Sequence, residues 1–515
     1  MKLAKLKIKM MTKKITSLTM TIAIITVFFI SCDKQLNEPK TGHEESISVL
    51  GKKLENPYSL ENMQKALNNL QANQKGVGET ITTSHLYVKF KPHNDDDLSL
   101  LKQDTTLILY PYPLDYEIIE GATTYHDSNV PEGKPTFQYA AVRVKYNFPS
   151  VDYEVLEELY IPEEEAENRN LDDGFVNTLV DEALRITNNL SEEELNDPQT
   201  RSSKWRPAGT IKVWDDNFNT YIPIKHLKVK ARRWFTTYTG ITNSNGYYSC
   251  NGRFRRDANY SLQFERYDFE IRDAWLSTAN INGPKKKGNW NLNMNGGKRE
   301  FWATIFRATS HYYYDNIKGL RRPPQNSFWN TQLKLRAMYE SNGNANGTHC
   351  AACRFMGLGS AIKIYNPQND SKDIYATTIH EIAHASHWNM DQSNYSSGDK
   401  IVLESWARGV ERELTRQIYS SYNPDYSRLR YTGVVHDMID SYKTRNSSYY
   451  WTEDNAWVVS YKSYNDQVSG YTIRQIEDAL YGEKYWNNWK NNIKNSYNNA
   501  TENNLDASFS FWNTQ

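Results

Sequence analysis

The sequence predicts a multidomain α+β fold: an N-terminal α+β module, a central β-sandwich and a C-terminal domain whose last part is mostly helical. Its 515 residues exceed the size at which a single hydrophobic core is usual. Short alternating apolar and polar runs fill the middle of the chain, and apolar residues at helical spacing dominate after residue 370. Aromatic residues reach 13%, so the chain can bury substantial cores.

The first 31 residues are expected to be an export signal. Several Lys precede an apolar run over residues 18–30 that is short for a membrane span. The run ends at Phe29-Ile30-Ser31-Cys32, which resembles a bacterial lipobox, although Phe29 is bulkier than the usual Leu. The resemblance implies a lipoprotein with acyl chains on Cys32; an uncleaved anchor with an incidental Cys is the alternative. The polar segment 32–76 is expected to be a tether between this lipid anchor in the cell envelope and the folded protein.

Residues 77–204 are predicted to form the N-terminal α+β module, with strands near 85–90, 106–110 and 139–144 and a helix over 175–190. Residues 205–272 contain strand-like runs at 209–215, 222–224 and 227–231 and a turn-rich segment at 242–248. This spacing resembles the carboxypeptidase regulatory-like (transthyretin-like) β-sandwich, although Asn243 and His226 replace the usual Asp and Gly. The resemblance implies a scaffolding module, and an unrelated antiparallel sheet is the alternative.

Residues 273–515 contain the candidate site. A strand is predicted at 360–365, and Asp370 or Ser371 can cap a helix over about 372–389. Within this helix, His380 and His384 are four residues apart and share one face, so both can reach one metal ion. Glu381 follows the first His and can act as the base for a metal-bound water. This HExxH pattern predicts a Zn²⁺ site with Glu381 as the catalytic general base.

A catalytic zinc needs a third protein ligand. The metzincin pattern fails, because His387 and Met390 occupy the positions of its Gly and its third His. His387 lies about 10 Å along the helix axis from His380, and it is expected in the cleft, beside the ligands or on the surface. Glu404 lies on a second predicted helix that Asp399 can cap. Glu404 is therefore the candidate third ligand.

HExxH followed by Glu404 on the next helix resembles the gluzincin metallopeptidases. The resemblance implies a zincin-type catalytic domain that hydrolyses peptide bonds of a peptide or protein substrate. Thermolysin-like members carry an Asp four residues after the ligand Glu, and this Asp orients a zinc-binding His. In this sequence Arg408 occupies that position, and Glu411 follows about one turn later. The groups around the ligands must therefore differ, and Arg408 is expected to pair with Glu411 or Glu404. His436, Tyr449 and Tyr450 are unassigned candidates for stabilising the transition state.

The remaining features limit the function further. Net charge is zero and no basic stripe is present, so a nucleic-acid partner is not expected. A disulfide between two of Cys250, Cys350 and Cys353 is expected. Helices are predicted at 414–419, 434–442, 456–464 and 484–497, the last with an aromatic stripe that should pack in the core. The sequence thus favours a lipid-anchored extracytoplasmic zinc metallopeptidase. One alternative is a surface lipoprotein with an inactive zincin domain that binds glycan or protein. The other is an envelope lipoprotein in which zinc is structural.

Overall fold

The computed structural model describes residues 49–71, 80–123, 125–169, 172–190, 204–273, 277–327, 331–340, 347–350, 362–365, 367–368, 370–424, 426, 430–441, 448–451, 457–460 and 465–513. The predicted export signal, Cys32 and the first part of the predicted tether lie outside these residues. The described residues belong to one compact unit spanning Ser46–Gln515. Among them, no helix has the length and apolar character needed to cross a membrane.

The fold is mixed α+β with several sheets, as the sequence predicts. The described helices are α1 Leu60–Gln71, α2 Asp95–Gln103, α3 Pro162–Arg169, α4 Asp173–Ile186, α5 Gly297–Tyr314, α6 Ser371–Met390, α7 Gln392–Ser397, α8 Lys400–Thr415, α9 Val434–Ile439, α10 Ile473–Leu480, α11 Trp486–Ser496 and α12 Leu505–Trp512. The described strands are β1 Leu50–Lys53, β2 His85–Phe90, β3 Tyr116–Ile118, β4 Gln138–Arg143, β5 Tyr153–Leu159, β6 Ala208–Asp215, β7 Thr220–Pro223, β8 Lys228–Arg233, β9 Thr236–Ile241, β10 Tyr247–Ser249, β11 Ala258–Gln263, β12 Phe269–Arg272, β13 Asn280–Lys286, β14 Leu292–Met294, β15 Leu333–Ala337, β16 Gly347–His349, β17 Ile362–Ile364, β18 Ser448–Trp451 and β19 Trp457–Ser460.

The N-terminal part contains a three-stranded sheet of order β4-β2-β5 and a two-stranded sheet of β1 and β3. The predicted tether is too long, because β1 and α1 lie inside it and are folded. Met63, Ala66 and Leu67 follow helical spacing and are buried, so α1 has one apolar face that joins the core. The predicted strand at 106–110 is also wrong, since only Tyr110 forms an isolated bridge, to Tyr139.

Two four-stranded sheets follow. One has the order β10-β6-β14 with β7 also paired to β6, and the other has the order β13-β11-β8-β9. The predicted boundary between residues 272 and 273 is wrong: β13 and β14 come after it but join these sheets, whereas β12 comes before it and joins the sheet next to the candidate site. Alternating apolar and polar residues predict a strand but do not identify the strand it pairs with. The boundary could therefore not be placed correctly from the sequence.

A tight turn joins this β region to the N-terminal part. Trp234 and Phe235 form the tip of the β8–β9 hairpin, and Trp234 adopts a left-handed backbone with φ of 51°. Both side chains enter the N-terminal core, where the Phe235 ring lies 5.0 Å from that of Tyr87 and 6.3 Å from that of Tyr58. Burying two aromatic rings fixes the hairpin to the N-terminal part.

The sheet next to the candidate site has the order β12-β15-β17-β16. The first three strands are parallel, and β16 runs antiparallel to β17 at one edge. Helices α5 and α6 pack together, with Tyr375 Oη of α6 lying 2.6 Å from His311 Nδ1 of α5. Phe269 of β12 packs on Phe306 of α5 at a ring distance of 5.4 Å. This sheet and its helices share a hydrophobic core with the β region.

The C-terminal part is helical except for β18 and β19. The predicted core stripe on α11 is confirmed for Trp486, Trp489 and Ile493, which are buried, whereas Tyr497 follows the helix and is partly buried. The Trp486 ring lies 4.7 Å from that of Phe509 of α12, tilted by 50°. The predicted helix at 456–464 is wrong where it is described, since Trp457–Ser460 is a strand paired with Ser448–Trp451. Its Trp and two Val residues favour extended backbone, which explains the difference.

Candidate metal centre

Helix α6 presents the two histidines. The carboxylate of Asp370 accepts a hydrogen bond from Asp373 N at 2.8 Å and so caps the helix, which confirms the predicted start. His380 and His384 point from one face of α6, while Ile379 and Ile382 on the other side are fully buried. Their burial holds the helix in one orientation, so the two imidazoles are presented together.

Helix α8 presents Glu404. Val402, Trp406 and Val410 of this helix are buried, which turns Glu404 toward α6. Asp399 stands at the N-cap position, but its side chain does not cap α8; its carboxylate instead accepts a hydrogen bond from Trp486 N at 3.3 Å. The predicted capping role of Asp399 is therefore wrong, and the residue connects α8 to α11.

Three ligand-type atoms converge between α6 and α8. His380 Nε2 and His384 Nε2 are 3.1 Å apart, and Glu404 Oε2 lies 3.3 Å from the first and 3.2 Å from the second. Tetrahedral bonds of about 2.0–2.2 Å to zinc would place ligand atoms roughly 3.3–3.5 Å apart. The triangle therefore has nearly the dimensions that one zinc ion requires, and these residues form a His/His/Glu cluster able to hold a metal.

The charge of this triangle also calls for a cation. The Glu411 carboxylate accepts a hydrogen bond from His380 Nδ1 at 2.8 Å, which fixes the proton of a neutral His380 on Nδ1. His380 Nε2 then carries a lone pair and faces the Glu404 carboxylate, so two acceptors meet. Burial opposes an imidazolium, but Glu404 and Glu411 outweigh it and raise the pKa of His380 to about 9. The site thus attracts positive charge, as a proton or as a metal.

Glu411 is itself supported. Arg408 Nη1 donates to both Glu411 oxygens at 2.8 Å, which is one of the two pairings predicted for Arg408. The Tyr422 hydroxyl donates to Glu411 Oε1. Burial raises the pKa of the Glu411 carboxyl, but Arg408 and His380 outweigh that effect and lower it. Glu411 therefore stays ionised while buried. Its hydrogen bond to Nδ1 fixes the orientation of the His380 ring.

Glu381 is buried beside the edge strand β16. Burial is the largest influence on its carboxyl and raises its pKa. A Cβ placed on Gly347 of β16 would lie 2.7 Å from Glu381 Cγ and 2.8 Å from Oε1. The backbone of β16 therefore approaches Glu381 as closely as a glycine permits.

Aromatic rings surround the histidines. His349 of β16 stacks parallel to His384 at a ring distance of 6.3 Å, and Tyr395 of α7 places its hydroxyl 3.3 Å from His349 Nδ1. Tyr431 lies 5.8 Å from the His380 ring and under the Arg408 guanidinium. No spacing relates His349, Tyr395 or Tyr431 to the HExxH motif, so the sequence does not predict their position beside the histidines.

The structure also places the remaining candidates. His387 is buried with its ring 5.1 Å from that of Tyr395, and burial lowers its pKa to about 3, so its surface alternative is wrong. The described partners of His436 are Tyr426 and Asp440. Tyr449 and Tyr450 lie on β18.

The cysteines are only partly described. Cys250 is a free thiol buried in the β region, so it takes no part in the expected disulfide. Cys350, directly after β16, is disulfide-bonded, and its partner lies outside the described residues.

Comparisons with known proteins give no assignment. No protein-family profile and no curated protein matches the chain. Among solved structures, a 9R-lipoxygenase from Cyanothece is listed at 8% identity with a TM-score of 0.13, covering 55% of this chain and 46% of that one. A similarity this weak carries no information about fold or function.

The Glu411–His380 hydrogen bond gives the first testable prediction. Glu411→Gln should weaken zinc binding by about 10–100-fold, because it removes the charge that orients and polarises a ligand. Zinc affinity would be measured by competition with a chromogenic chelator, with circular dichroism to check folding.

Glu413→Gln is the matched control, since Glu413 is buried on the same helix and pairs instead with Lys318 and Arg412. It should leave zinc affinity unchanged. Equal affinity in both variants would show that Glu411 has no special part in the site.

Proposed function

We propose that the protein is a gluzincin-like zinc metallopeptidase that hydrolyses peptide bonds of an extracytoplasmic peptide or protein. His380, His384 and Glu404 are the proposed metal ligands, and Glu381 is the proposed general base. The observation that carries this proposal is the convergence of three atoms of metal-ligand type at 3.1–3.3 Å, while Glu411 accepts a hydrogen bond from the far nitrogen of His380. A structural zinc site would be closed by four protein ligands, whereas the described residues supply three to this cluster.

The reaction follows from the groups around the cluster. A zinc ion held by His380, His384 and Glu404 would supply Lewis acidity, which would lower the pKa of a water molecule and polarise the scissile carbonyl. Glu381, adjacent in sequence to His380, takes the proton of the attacking water and delivers it to the leaving amine. The burial that raises its pKa brings the carboxyl closer to the pH at which one group can both accept and release a proton.

The substrate strand is proposed to run along β16. This strand ends the described order of its sheet, and its backbone passes directly against Glu381 at Gly347. An extended peptide that hydrogen-bonds to β16 as an added strand would lay its backbone beside the base and the metal ligands. Such binding uses main-chain groups, and it suits an enzyme that cleaves peptide bonds.

The other regions are proposed to position this domain. The two-sheet β region fits a scaffolding role of the transthyretin-like kind. The residues before it are proposed to connect it to an acyl anchor at Cys32 in the cell envelope, on the lipobox resemblance alone.

The central test compares Glu381→Gln with Glu404→Ala. Glu381→Gln should keep zinc and lose peptide cleavage, since it removes the base and no ligand. Glu404→Ala should lose zinc as well as cleavage, because two protein ligands remain. Metal content by mass spectrometry and cleavage of a peptide library would be measured on both proteins and the wild type.

Zinc present in the wild type without cleavage of any peptide would exclude the peptidase while leaving the metal site. Full zinc occupancy in Glu404→Ala would remove Glu404 from the ligand set.

The close approach at β16 gives a second prediction. Gly347→Ala should lower the cleavage rate by about tenfold or more, because the new methyl group must displace the Glu381 carboxylate or the strand. Zinc affinity should be unchanged, since the three atoms nearest the new Cβ belong to Glu381 and Thr377, and neither residue is a proposed metal ligand. The rate and the affinity would be measured on the same preparation.

Gly288→Ala is a control for a glycine replacement that strains the protein away from the site: Gly288 has φ of 89°, and no atom other than those of its chain neighbours lies within 4 Å of its Cβ position. It should lose some stability but keep wild-type cleavage. Wild-type cleavage by Gly347→Ala would mean that β16 does not approach the base this closely in solution.

The lipid anchor gives a third prediction. Cys32→Ser should abolish incorporation of labelled palmitate, because the Cys32 sulfur is the atom that would form the thioether bond to the acyl-bearing lipid. Cleavage of the peptide library should be retained, as Cys32 has no part in the proposed chemistry. Labelling that persists in Cys32→Ser would refute the anchor.

A further inference from the structure

A cavity of about 240 Å³ lies away from the metal centre, between the N-terminal part and the β region. Its walls come from α2, the loop after it, β4, β8, β9, β11 and β13; none of His380, Glu381, His384 and Glu404 lines it. Ile241 and Tyr267 lie at its rim and are 43% and 45% exposed, so the cavity opens to solvent. The proposed peptidase chemistry makes no use of it.

The register of the sheet builds one wall of the cavity. Asn280 of β13 pairs with Gln263 of β11, Gln263 pairs with Lys228 of β8, and Lys228 pairs with Ile241 of β9. Directly opposed residues place their side chains on the same face of a sheet. Three polar side chains therefore stand in a row across the sheet, with Ile241 at the exposed end.

Two buried acceptors in this row lack a partner. Gln263 Oε1 and Asn280 Oδ1 form no hydrogen bond within the described part of the chain, although these residues are only 8% and 7% exposed. Neighbouring buried amides are different: Gln332 donates to Arg266 O at 2.6 Å, and Asn282 accepts from Tyr112 Oη while donating to Ala122 O. Because buried acceptors are normally satisfied, the two free oxygens indicate a ligand that donates hydrogen bonds.

The cavity also offers donors. Lys230, 1% exposed, uses one N–H on Leu109 O at 3.0 Å and lies over the Tyr110 ring, which leaves donor capacity on its amine. Lys228 stands beside Gln263 in the row. Lys102 is already engaged by Glu265, Glu270 and Thr278.

These groups select a neutral ligand. A carboxylate would accept hydrogen bonds from the lysines but has no hydrogen to donate to the two amide oxygens, and Glu265 would repel it. A cation would be repelled by the Lys228 ammonium and the Arg266 guanidinium. A sugar ring presents hydroxyls that both donate and accept, and the exposed Tyr267 at the rim offers an aromatic face for its apolar side. The volume is below the range of about 300–1,000 Å³ typical of drug-sized ligand sites, which suits a single ring.

We propose that this cavity binds one residue of a neutral saccharide through Gln263, Asn280, Lys228 and Lys230. The site is separate from the metal centre and does not rest on the proposed peptidase function. A saccharide site on the same chain would hold the protein at a glycan while the metal centre acts.

Isothermal titration of the Glu381→Gln protein with D-glucose, D-galactose, D-mannose and N-acetyl-D-glucosamine, each as a separate probe, tests this site. At least one sugar should bind, and chelation of metal should not change its affinity. Gln263→Leu should weaken that binding about tenfold or more, since it removes a buried oxygen of the protein that would accept a hydrogen bond from the sugar. Because Gln263 Oε1 has no partner in the free protein, the same change should leave the melting temperature unchanged or higher.

Ser508→Ala is the matched control, since it also removes a buried unpartnered oxygen but lies on α12, outside the cavity. It should keep sugar binding. Lys228→Met is a second variant in the row of polar side chains, at a partly exposed residue, and it should weaken sugar binding as well.

No binding of any of the four sugars by the wild type would overturn the proposal. So would sugar binding that survives both Gln263→Leu and Lys228→Met. Sodium phosphate and triglycine serve as anionic and peptide probes, and binding of either that Gln263→Leu abolishes, without binding of a sugar, would assign the cavity to another class of ligand.

Discussion

The hydrogen bond between Glu411 and His380 is the contact on which the candidate site depends. It places a proton on Nδ1 of His380 and therefore leaves Nε2, beside Glu404 and His384, as the nitrogen that can bind a metal. A buried carboxylate is costly unless it is paired, and Arg408 with Tyr422 supplies that pairing. Glu404, Arg408 and Glu411 are spaced at i, i+4 and i+7, so a single face of α8 provides both a ligand and the support for another.

Much of this arrangement follows from local sequence. The spacing of His380 and His384 predicts a shared face on any helix, and the apolar residues around them predict that the helix is buried; the structure shows both. The position of Glu404 on α8 follows in the same way. The contact of Glu411 with His380 does not follow from local sequence. It depends on how α6 and α8 cross, and no local pattern encodes a crossing angle. The residue four positions after Glu404 is Arg408. Glu411, about one turn further along α8, accepts hydrogen bonds from His380 Nδ1 and from Arg408.

The predictions that were wrong share a physical cause. β12 lies before the predicted domain boundary, and β13 and β14 lie after it. Their partners are in different sheets, because pairing between residues far apart in sequence decides which sheet a strand joins. Asp399 stands where a cap is expected, but the approach of α11 gives its carboxylate another donor. His349, Tyr395 and Tyr431 reach the histidines from three separate segments, so only the folded chain brings them together.

The sheet beside the metal centre has two edges, and the chain treats them differently. At the β12 edge, Ile271 N donates to Phe264 O and Ala279 N donates to Ile271 O, and isolated bridges join Glu270 to Glu265 and Arg272 to Thr278. On the face of the sheet beside this edge, buried ion pairs join Arg272 of β12 and Lys334 of β15 to Asp95 of α2, which holds the N-terminal part against the sheet. An exposed strand edge invites pairing with another chain, and proteins usually cover it. The β12 edge is already paired within the chain, whereas β16 ends the described strand order and passes against Glu381; this difference supports the proposed strand addition at β16.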